Sequence, residues 1–135
     1  MYLVKAIAIW LVMVIAAIAN GLIREKLFNV YLSETLALVL SGVLLSILIL
    51  LIIYMTIGFY KWKQGSSYIG LGIIWVSFTL LFEYGFGYFV RGSPISEINQ
   101  IFNVSKGNLF ILALIVILVG PRVIAQYKGY IKAAP

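Results

Sequence analysis

The sequence predicts an all-α membrane protein, with four transmembrane helices in an up-and-down bundle and a short interfacial helix in the third connection. Three observations carry this expectation. Hydrophobic residues make up 64% of the 135-residue chain and charged residues only 10%, whereas a soluble domain is about half apolar and a quarter charged. Four apolar runs approach or reach the roughly 20 residues that a helix needs to cross hydrocarbon. None of the runs alternates with period two, and each is far longer than a buried strand, so the spanning form is helical. Once these spans are placed, little remains for a soluble domain, and residues 1–135 read as a single transmembrane domain.

The first run covers residues 6–23. Lys5, the apolar stretch and Ala17-Ile18-Ala19 imitate a signal peptide with its cleavage site. The polar residues that follow, Asn20-Gly21 and Arg24-Glu25, look instead like partners for a polar group in another span, and a retained first helix is the expectation. The second run, 36–60, is the clearest. The third covers 68–90. The fourth, 109–127, is interrupted by Gly120-Pro121-Arg122, where a kink is expected, with Arg122 reaching to the headgroups. In the third connection Ser93-Pro94-Ile95-Ser96-Glu97 offers an N-cap, a proline for the first helical position and an acid for the first turn. Ile95, Ile98, Ile101 and Phe102 then recur at helical spacing, which predicts a short helix on the outer membrane surface.

Orientation follows from the basic residues. The side shared by the N-terminus, the second connection and the C-terminus carries Lys5, Lys61, Lys63, Arg122, Lys128 and Lys132, against Arg24, Lys26, Arg91 and Lys106 on the other. Both termini are therefore expected in the cytoplasm. The net charge of +6 comes from basic residues scattered singly beside apolar runs, which suits anionic lipid headgroups rather than nucleic acid.

The chemical inventory is narrow. The chain has no Cys, His or Asp, and its four acids are Glu25, Glu34, Glu83 and Glu97. Disulfides, thiolate nucleophiles, His-ligated haem and zinc sites of the usual kind are excluded, so no cofactor or metal is expected and an enzyme is the least favoured class.

Several polar or small residues share helical faces. In the first span these are Met13, Ala16, Ala17, Asn20 and Arg24; in the second, Thr35, Gly42 and Ser46; in the third, Gly72, Val76, Thr79, Glu83 and Gly87. Small residues most commonly let membrane helices approach closely. Phe82, Tyr84, Phe86, Tyr88 and Phe89 crowd the outer half of the third span, read first as an interfacial belt and second as the wall of a cavity for a greasy ligand. Glu83 is the exception among the span residues, because a charged carboxylate near mid-membrane costs roughly 2.5 kcal/mol or more. It has to be neutral, paired or facing a wet cavity. The candidate site is thus a polar intramembrane cluster of Glu83, Arg24, Asn20 and Arg91, with Arg24 as the first choice of partner for Glu83, Arg91 as the second, and Asn20 completing the hydrogen bonds.

Asn20-Gly21-Leu22-Ile23-Arg24-Glu25, Phe82-Glu83-Tyr84-Gly85-Phe86-Gly87 with Arg91-Gly92, and Asn103 to Leu109 leading to Gly120-Pro121 together resemble a family of small four-helix bacterial integral membrane proteins. The resemblance implies four spans with an uncleaved first one, and it brings no reaction, substrate or cofactor. Where that family often shows a polar, His-containing start to the second span, this chain has Ser33-Glu34-Thr35, so no role is carried to that place. The functional expectation is an accessory or interaction subunit of a membrane assembly, as a homo-oligomer or beside other membrane subunits. The alternative is a small oligomeric channel or proton-linked transporter working through Glu83.

Overall fold

A computed structural model describes residues 2–131; Lys132, counted above on the inner side, lies outside them. Among the described residues every regular element is helical, and four helical stretches are long and apolar enough to cross a membrane.

The first helix, α1 (Tyr2–Ile23), does not stop where the apolar run does. It widens into a π-helical turn over Arg24–Phe28 and closes with a last α-turn, Asn29–Tyr31. The reason lies in the sequence: residues 22–32 contain neither Gly nor Pro, and Arg, Glu, Lys and Leu are good helix formers. What ends the helix is the extended backbone of Leu32. Ser33 then begins α2 (Glu34–Thr56), its hydroxyl accepting the Leu36 amide at 3.2 Å, with Glu34 in the first turn where the helix dipole favours an acid. The connection expected to run from Arg24 to Thr35 is therefore almost entirely helix.

A 3-10 turn, Ile57–Phe59, closes α2. The second connection folds back through packed aromatic rings: Tyr60 on Trp62 at 4.6 Å and Trp62 on Tyr68 at 5.3 Å between centroids, with the Tyr68 hydroxyl donating to the Trp62 carbonyl at 2.9 Å. The third helix, α3 (Gly65–Gly85), continues as a π-helical segment, Phe86–Val90. It ends at Gly92, whose φ of +69° is a conformation glycine adopts without penalty. The third connection does contain a short helix, α4 (Ile95–Ile98), extended by a 3-10 turn at Asn99–Phe102. Its start differs from expectation by one residue. Pro94 is the cap rather than the first helical residue, its extended backbone offering the carbonyl that accepts the Glu97 and Ile98 amides, so Ser93 does not cap. Ile98 is buried against Gly87, and the Tyr84 hydroxyl donates to Asn99 Oδ1 at 2.7 Å, tying α4 to the end of α3.

The last helix, α5 (Phe110–Tyr127), runs through Pro121 without a break. The proline has no N–H for the carbonyl one turn back, yet it is fully buried, and the packing around it holds the helix together. Arg122 does not simply reach away from the bundle: its side chain lies over Gly65, at the first residue of α3.

Helix α5 is the hub, packed along both α2 and α3, while α1 packs on α2 and meets α3 more lightly. Two glycines permit the closest approaches. A Cβ at Gly42 would come within 2.5 Å of Leu109 Cβ, and one at Gly72 would strike the Leu118 carbonyl. The small residues of these two spans thus serve helix contact at these points. The core is filled by Trp75, Tyr68, Ile53 and Ile57, all at or near zero exposure. Trp75 also donates its indole N–H to the Ala6 carbonyl at 2.9 Å, which fixes α1 against α3.

Candidate functional site

Two polar groupings lie between the helices, and they share residues from the sequence-derived cluster. The first joins α1 to α2. Asn20, only 3% exposed, donates through Nδ2 to Ser41 Oγ at 2.8 Å. Arg24 follows one turn later on the same face of α1, and its Nη1 donates to the same hydroxyl at 3.4 Å. Asn20 Oδ1 is buried and has no hydrogen-bond partner among the described residues. Ser41 was not among the residues singled out from sequence. It sits beside Gly42, in a run where any small residue reads as packing.

The second grouping surrounds Glu83. This residue is partly buried on α3 and lines a cavity of about 360 Å³ between the helices. Trp10 and Met13 come to the wall from α1, Leu45 and Ile49 from α2, and Phe110 and Ile117 from α5. Arg91 also lines it. The guanidinium of Arg91 lies 5.7 Å from the centre of the Phe86 ring, and Phe86 stacks on Phe82 with centroids 5.3 Å apart and planes 17° from parallel. On the same wall Trp10 donates its indole N–H to Thr79 Oγ1 at 3.1 Å, and the Thr79 hydroxyl donates in turn to the Trp75 carbonyl at 2.8 Å.

The aromatic residues at the C-terminal end of α3 and in the segment that continues it thereby divide between two surfaces. Phe82 and Phe86 face the internal cavity. Tyr84, Tyr88 and Phe89 line a separate outward groove with Ser77, Leu81 and Gly85.

Arg91 and Arg24 are the two cations that act on Glu83 through space, Arg91 the more strongly. Neither makes a direct contact with its carboxylate: among the described residues Glu83 has no hydrogen bond and no ion pair. The four residues expected together are brought to one region, but their connections differ from expectation. Asn20 turns to Ser41 and not to Glu83, because the packing of α1 along α2 places the serine hydroxyl within its reach. Arg24 spends one donor on that same hydroxyl. No family model, curated protein or solved structure matches the chain. Chemically, the arrangement offers an apolar chamber with a carboxylate and a guanidinium on its wall. Among the described residues no three acidic, His or Cys side chains converge as metal ligands.

Proposed function

We propose that the four apolar helices cross a bilayer up and down, with both termini on the cytoplasmic side of a bacterial inner membrane and α4 lying at the outer interface. The contacts support alternating directions. Lys5 near the start of α1 donates to the carbonyl of Phe59 just past the end of α2, whereas Asn20 meets Ser41 early in α2. Gly72 of α3 meets Leu118 of α5, while Gly65 meets the later Arg122.

Within that membrane the protein acts as an interaction subunit of a larger assembly, with further copies of itself or with other membrane subunits. The observation that carries this reading is the outward face of α3. Gly70 and Gly85 there have nothing within 4 Å of where a Cβ would stand, and Ser77 beside them is exposed. Small residues on an unpacked helix face permit a further helix to approach closely. Purification in a mild detergent tests the reading. Stable association with more copies or with other subunits, lost on replacing Gly70 and Gly85 by Leu, supports it; a monodisperse monomer of unchanged stability rejects it.

The alternative, a small channel or proton-linked transporter, is favoured by one observation, the position of Glu83 on the wall of an internal cavity. Its test is reconstitution into liposomes. Glu83→Gln should fold normally and lose proton-dependent flux.

A further inference from the structure

We propose that the cavity between the four helices binds a single-chain amphiphile with an anionic headgroup, the head at Arg91 and the chain running between Met13, Ile49 and Ile117. This site goes beyond both functional readings and requires neither assembly nor transport.

Size sets the first limit. About 360 Å³ lies within the roughly 300–1,000 Å³ range of small-molecule sites, and it is far too small for a two-chain phospholipid. Polarity sets the second. The Trp10 indole and the Thr79 hydroxyl are already joined to each other and to the Trp75 carbonyl, so they ask nothing of a ligand. The charged groups left on the wall are Glu83 and Arg91. The remainder is apolar and matches an alkyl chain.

Charge decides the headgroup. Arg91 is the guanidinium on the cavity wall, and a second, that of Arg24, lies near the single carboxylate of Glu83 without lining the cavity, so basic groups outnumber acidic ones at this end. The Arg91 side chain makes no hydrogen bond among the described residues, and its five guanidinium N–H donors are uncommitted. A guanidinium fork of this kind matches a carboxylate or phosphate through two parallel bonds. Arg91 is exposed while Glu83 is partly buried, so the cationic end is the open end. The competing ligand is an organic ammonium, which a carboxylate among aromatic rings would also suit. Here the Phe86 face is already covered by Arg91, and an ammonium seated there would meet that guanidinium.

Trp10 on the cavity wall provides the measurement. The purified chain in non-ionic detergent is titrated with a bromine-tagged medium-chain fatty carboxylate, and tryptophan quenching is followed. Equal-length brominated alkyltrimethylammonium and alcohol are run in parallel, together with a single-chain phosphate that distinguishes a lysolipid head from a free fatty acid. Saturable quenching by carboxylate or phosphate is expected, about tenfold weaker in Arg91→Gln, largely restored in Arg91→Lys, maintained or tighter in Glu83→Gln, and lost in Trp10→Phe. Equal or tighter binding of the ammonium or the alcohol overturns the proposal. So does full affinity in Arg91→Gln, or quenching that survives in Trp10→Phe.

Discussion

Asn20 and Ser41 meet across the α1–α2 interface with 2.8 Å between Nδ2 and Oγ, and the oxygen of the same amide, Oδ1, is buried with no partner among the described residues. The pair is half-satisfied, and that makes the two single substitutions unequal. Asn20→Leu removes the bond and the orphaned oxygen together and should change stability by less than about 0.5 kcal/mol. Ser41→Ala leaves both ends of the amide unpaired between helices and should cost about 1–2 kcal/mol. Thermal unfolding in detergent gives both values, and an equal cost for the two would contradict the contact.

Gly72 and Gly85 should respond oppositely to the same change. Gly72→Ala forces a methyl into the Leu118 carbonyl and should destabilise by at least about 1–3 kcal/mol, because a backbone atom cannot step aside as a side chain can. Gly85→Ala meets open space and should leave the monomer unchanged or slightly more stable. Melting temperatures of the two variants, measured side by side, are sufficient.

The electrostatic ranking around Glu83 predicts unequal couplings. Double-mutant cycles pairing Glu83→Gln with Arg91→Gln, and separately with Arg24→Gln, should give a larger interaction energy for Arg91, about 1 kcal/mol. Arg24 should show its larger coupling to Ser41, the group it touches. Strict additivity between Glu83 and Arg91 would show that proximity carries no energy there.

Topology is accessible without any background reaction, since the chain contains no Cys. Cysteines introduced singly at Lys63 and Glu97 should be labelled from the cytoplasmic and the outer face respectively. Labelling of the Lys63 position from outside would reverse the orientation.

The number of long helices and their apolar character were legible because lipid admits so few backbone solutions that hydropathy alone nearly dictates them. Their ends were less so. Hydropathy ends the first run at Ile23, where charge begins, yet Arg24, Glu25 and Lys26 are compatible with helix and nothing before Leu32 breaks it. Ser41 escaped notice for a different reason: it stands beside Gly42, where a small side chain reads as helix packing rather than as a hydrogen-bonding partner. Glu83 and Arg91 were visible from sequence because a charge beside or within an apolar run needs an explanation. The cavity was not, since its wall is assembled from Trp10, Ile49 and Phe110, each of which alone is an ordinary membrane residue.

The four helical stretches also differ in length, from 29 residues over Leu3–Tyr31 to 18 over Phe110–Tyr127. At about 1.5 Å per residue these measure about 43 Å and about 27 Å, against a hydrocarbon thickness of about 30 Å. Lipids on the α5 flank, where Ile115 and Val123 face outwards, meet a wall slightly too short for them, and the leaflets there must pinch inwards. On the opposite flank α1 is longer, and its last turns, which carry Arg24, Glu25 and Lys26, would extend into the headgroups. Set in a bilayer, such a bundle would act as a wedge-like inclusion, and membranes of different thickness should change its tilt and its tendency to cluster.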